Sequence, residues 1–173
     1  MARVAHLTDH LAPDSVQRLA RAAANRFEEA EVLRKQKRFL CALYLYGYVV
    51  EMCLTSAYFK SAGFSATAPI DRETRRRRMA QARQLRGKSG EPLMNGDPHP
   101  LVGWARFLSW QKSSSEGISQ PLRQLLTEAI RNSEQIYKHW RPELRYKTIN
   151  VQAKQLAEVR QAALWFVKNV QRL

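Results

Sequence analysis

Only two cysteines, Cys41 and Cys53, occur among the 173 residues, and they stand 12 positions apart in one apolar stretch. On a helix that separation is about 18 Å, too far for the two thiols to bridge. A disulfide-stapled scaffold is excluded, and a reducing, cytoplasmic setting is expected. Long hydrophobic runs are missing too. No segment offers the roughly 20 apolar residues of a membrane span, and the opening MARVAHLTDHLAPDS holds no run of signal length, so no membrane partner is expected. There is no sustained period-two alternation, glycine-rich phosphate loop, Ser-His-Asp arrangement, kinase motif or Cys/His cluster. Strands, a cofactor and a bound metal are therefore not expected.

Acidic residues are also scarce. Against 29 Lys and Arg stand 15 Asp and Glu, a formal net charge of +14. Solubility alone needs far less, and a polyanion is the natural partner. Residues 1–60 carry 9 basic and 6 acidic side chains, 61–100 carry 8 and 4, and 101–173 carry 12 and 5, so the last stretch holds half of the excess. RNA or a nucleotide suits such a surface.

Helical spacing of apolar residues runs through nearly the whole chain. Behind a cap at Asp14 or Ser15, Val16, Leu19, Ala23, Phe27, Ala30 and Leu33 line one helix face. The basic break RKQKR leads into a second helix, from about Phe39 to Ala62, which is apolar on two overlapping stripes and so belongs at the centre. A short exposed helix is expected between the cap Asp71 and Gly87, within a basic, mobile insert over 65–100. LVGWARFLSW resumes the apolar spacing, and an amphipathic helix starts near Ser119. Pro142 interrupts it, and a last helix, capped at Thr148 or Asn150, carries Leu156, Val159, Ala163, Phe166, Val170 and Leu173. The expectation is all-α: a single domain over 1–173, an antiparallel bundle of about five helices with a basic insert. Apolar residues on several faces of the second and last helices further imply a homodimer.

Within the second helix, Tyr44, Tyr48, Glu51 and Thr55 form one polar strip. A carboxylate buried there needs hydrogen bonds or a cation from another helix, because stranding it costs several kcal/mol. Gly47 costs about 1 kcal/mol relative to alanine in a helix, which is explained if a neighbouring backbone approaches closely there.

These residues carry a family resemblance. ALYLYGYVVEMCLTSAYFK looks like the second-helix signature of the HEPN superfamily (higher eukaryotes and prokaryotes nucleotide-binding domain), with Ala42, Tyr44, Leu45, Gly47, Tyr48, Glu51 and Leu54 on the pattern. HPLVGWARFL is similar to the family's His-Asp-Leu segment, with Pro100 in place of the aspartate, and WRPELRY resembles its Arg-Tyr element before the last helix. The resemblance covers roughly residues 39–166 and leaves the arginine-rich insert unmatched. It implies a helical bundle, homodimers and roles around RNA: ribonuclease toxins, defence effectors, or partners of small nucleotidyltransferases in toxin–antitoxin modules. It also implies that the Arg-Tyr element lies near the second-helix glutamate. Arg145 is thus expected to pair with Glu51 while Tyr146 packs beneath, leaving Arg141 to face the ligand.

The ribonuclease branch places a histidine roughly four to six residues after an arginine, supplying proton transfer and a phosphate clamp. Here Arg131 and His139 are separated by seven residues. On a continuous helix they would sit about 12 Å apart along the axis and about 80° around it. Asn150 follows Arg145 where a histidine would be needed, and Arg3 and His10 satisfy the count only near the start of the chain. Arg131 and His139 remain the catalytic candidates, while His99, in a proline loop, is expected to be solvated or stacked. Arg75, Arg76, Arg77 and Arg78, with Lys138, Arg141 and Lys147, are the candidate nucleic-acid contacts. The reading is a HEPN-like RNA- or nucleotide-binding protein. Its alternatives are a metal-independent endoribonuclease and a bundle that binds only protein.

Overall fold

The Ser15 hydroxyl accepts a hydrogen bond from the Arg18 amide at 3.2 Å and so opens the first helix where a cap was expected. The computed structural model describes residues 14–87, 90–114 and 117–173; Arg3 and His10 lie outside them. Six α-helices are found among these residues: α1 Val16–Lys35, α2 Phe39–Ser61, α3 Arg72–Gln84, α4 Leu101–Ser113, α5 Gln120–Tyr137 and α6 Ala153–Asn169. A 3-10 turn spans Pro142–Tyr146. No strand occurs among the described residues, only isolated bridges between Asp14 and Ile70 and between Arg86 and Pro92.

The bundle is built around α2, which packs against α1, α4 and α6, while α5 joins α4 to α6. Both expected stripes of α2 are buried, among them Tyr46, Val49, Val50, Cys53 and Leu54. By length and composition α2 is, contrary to the expectation of no spanning segment, long and apolar enough to cross a bilayer, with a mean hydropathy of 1.4. Here its faces are occupied by the other helices. Burial on this scale is worth about 25 cal/mol per Å² of apolar surface.

One boundary and the insert differ from the sequence expectation. The last helix begins at Ala153, because the Gln152 amide donates to the Gln155 side chain at 3.0 Å. A glutamine cap at that site outcompetes Thr148 and Asn150, which precede the helix outside any regular element. The insert is also anchored rather than loose: Ile70 N–H donates to Asp14 O at 2.7 Å, and Ile70, Ala82, Leu93 and Met94 are buried in the core. These apolar residues are too widely spaced to show a period.

Candidate anion-binding groove

Asp71 caps α3 through its carboxylate on the Thr74 amide, and the helix then places Arg72, Arg75, Arg76, Met79 and Arg83 along one face. That face and the loop at Pro98–His99 enclose a groove of about 670 Å³, lined also by Arg77, Glu73 and Ala80. Five guanidiniums thus meet one glutamate. Arg75 is partly neutralised by Asp14 at 3.2 Å, and Arg77 approaches Glu73 at 3.9 Å. Arg72 and Arg76 have no side-chain partner among the described residues. Arg78, the fourth of the run, does not line the groove and donates to Gln81.

The loop is held from below. Asn95 O accepts from Arg83 Nε at 3.1 Å, Asp97 accepts from the His99 amide at 2.8 Å, and the Tyr137 hydroxyl donates to Asp97. Burial, and next the Asp97 hydrogen bond, push the Tyr137 phenol up to about 12.

These anchors bring His99 to Glu51. Its Nδ1 lies 2.9 and 3.1 Å from the two carboxylate oxygens, and Glu51 is only 8% exposed. The Glu51 hydrogen bond raises the His99 pKa above 6.5 against the opposing effect of burial, with the charges of Glu51 and Asp97 adding and that of Arg145 subtracting. Tyr48 and Trp140 meet the imidazole edge-on, with centroids at 6.0 and 6.3 Å.

Glu51 is buried as expected, but the pairing with Arg145 is not found. Arg145 is exposed and stacks over Tyr146, its guanidinium carbon 4.7 Å from the ring centre, while the nearby Tyr44 hydroxyl raises its pKa. Tyr146 is 74% exposed instead of packing beneath. A histidine 48 residues away in sequence occupies the position given to the arginine. Tyr44 and Tyr48 do share the polar strip, their hydroxyls 3.4 Å apart, and the Thr55 hydroxyl is buried without a partner. Gly47 admits the Trp140 indole, not a backbone, and Trp140 Nε1 donates to Tyr44 O at 3.0 Å.

The other candidates are dispersed. His139 Nε2 lies 3.1 Å from Glu158, and no hydrogen bond links it to Arg131, which is exposed on α5. Arg141 is exposed but folded back: its guanidinium donates to the carbonyls of Tyr137 and Trp140 and covers the Tyr137 ring. Lys138 reaches only Gln135, and Lys147 is exposed on the chain leading to α6. No group of three or more His, Cys, Asp or Glu that could hold a metal occurs among the described residues.

No family model matches the chain, and no curated protein or solved structure resembles it significantly. The groove must be interpreted from its own chemistry. The sequence marked the contiguous RRRR run, which drew in Arg78 and passed over Arg72 and Arg83, because the groove selects one helix face and not a run. His99 was marked by the HPL segment, but nothing in its spacing pointed to Glu51, and it was expected to be solvated or stacked.

Proposed function

We propose that the chain is a HEPN-like protein that binds RNA or a nucleotide through the groove between α3 and the loop before α4. The observation that carries this reading is the convergence of five arginines on one groove of nucleotide size in a protein of net charge +14. Guanidiniums bind phosphate oxygens in pairs, and a row of them along one helix face matches a phosphate backbone or a di- or triphosphate. Membership in a toxin–antitoxin or defence module, with a small nucleotidyltransferase as partner, belongs to the same proposal.

Arg72→Ala with Arg76→Ala tests it best, because neither side chain supports the fold through a protein partner. Binding of single-stranded RNA is expected to weaken for every sequence alike, and the salt dependence to flatten by about 0.7 log units for each phosphate no longer neutralised. An unchanged affinity and slope would leave the row as a solvated face.

A further inference from the structure

We propose that His99, clamped by Glu51, is the proton-carrying phosphate ligand of the groove, so that RNA binding there is coupled to pH. This rests on the groove being the RNA site and adds the residue that regulates it.

Glu51 determines what His99 can offer. Both carboxylate oxygens lie within hydrogen-bond reach of Nδ1, at 2.9 and 3.1 Å, so Nδ1 carries a hydrogen in either protonation state. Nε2 has no protein partner among the described residues, and the residue lines the groove beside Arg72, Arg75, Arg76, Arg77 and Arg83. Neutral His99 therefore presents a lone pair at Nε2, which repels a phosphate oxygen. Protonated His99 presents an N–H, which donates to one. One proton thus exchanges a repulsive approach for a charge-assisted hydrogen bond. The ring cannot turn away easily, because its backbone is tied to Asp97 and Tyr48 and Trp140 flank it.

The charges facing the ring come from every side. Glu51 on α2 and Asp97 in its own loop favour the imidazolium; Arg145 of the 3-10 turn and the α3 arginines oppose it; Tyr48 is neutral in this range, its pKa raised by burial. The balance lies with the carboxylates, and His99 is held above its usual 6.5. Because the protonated form binds, affinity is full below the His99 pKa and falls as pH rises through it.

The probe is a short dye-labelled single-stranded RNA without a terminal phosphate, since a monoester titrates near pH ~6 and would mask the histidine. Anisotropy is read from about pH 5.5 to 8.5 at constant ionic strength. The dissociation constant of the unaltered protein is expected to rise about ten- to hundredfold across that window, the worth of one charged hydrogen bond. His99→Gln is expected to hold the weak value throughout, His139→Gln to follow the unaltered profile, and Glu51→Gln to shift the rise to lower pH. Should Glu51→Gln fail to fold, an imidazole titration of the unaltered protein by NMR decides: the His99 pKa must increase when RNA is added. A flat profile, a His99→Gln profile like that of the unaltered protein, or a His99 pKa unmoved by RNA would overturn the coupling and leave the groove reading intact. A protein that binds RNA at no pH in low salt would bring down both.

Discussion

At Gly47 two effects of opposite sign meet. Alanine would favour the helix by about 1 kcal/mol. A Cβ there would meet Trp140 Nε1 at 2.1 Å, however, and the indole is fully buried and bonded to Tyr44 O. Gly47→Ala is expected to lose about 2 kcal/mol in urea denaturation, since overpacking outweighs propensity; a gain in stability would contradict that close approach. Glu31 makes a second residue-level case. Burial acts to raise its pKa, but hydrogen bonds from Arg160, Tyr46 and Arg34 prevail and hold the carboxyl at about 2, below the ordinary 4.5. A depressed pKa stabilises the fold above the unfolded value, so that stability is complete above pH 4.5 and lost as pH falls toward 2. Glu31→Gln is expected to lose about 2 kcal/mol at neutral pH and to flatten the acid limb of the stability curve. Glu51 supplies the third. Losses in Glu51→Gln and His99→Gln should fall short of additivity by about 1 kcal/mol or more, whereas Glu51→Gln and Arg145→Met should simply add.

At the scale of elements, caps and amphipathic faces decide where helices start and stop. Ser15, Asp71 and Ser119 each accept from an amide three residues on, and all three were legible because such oxygens satisfy first-turn donors locally. The end of α5 was legible from Pro142, but the role of Arg141 there was not. Arg141 folds back over the carbonyls of Tyr137 and Trp140, where a cation complements the negative end of the helix dipole. Arg141→Ala is therefore expected to cost about 1 kcal/mol in stability and to spare RNA binding, as thermal denaturation and the anisotropy assay would show. A stable variant with impaired binding would return Arg141 to the ligand.

For the whole molecule, charge and apolar surface set association. The sequence implied a large apolar patch left bare by α2 and α6, yet α2 is enclosed by its neighbours, and Val32, Tyr146 and Ile149 are the exposed large apolar residues among those described. The homodimer, proposed with the HEPN-like reading, then rests on the family resemblance. If it forms, light scattering at micromolar concentration is expected to read twice the 20.0 kDa of one chain; the mass of a single chain would count directly against it.

Periodicity, caps and the excess of base over acid are local or additive properties, so the helices, the central place of α2 and the net positive charge followed from the sequence by itself. The buried Glu51 did as well, because its neighbours on a helix are known once the helix is. Its partner did not. Any cation that the fold could bring within about 3 Å would satisfy a carboxylate, and choosing His99 over Arg145 required the Asp97 turn, the Tyr137 anchor and the Trp140 indole seated on Gly47. Those interactions join residues tens of positions apart. Pairing at such distances is selected by how the helices pack, and no spacing in the chain encodes it.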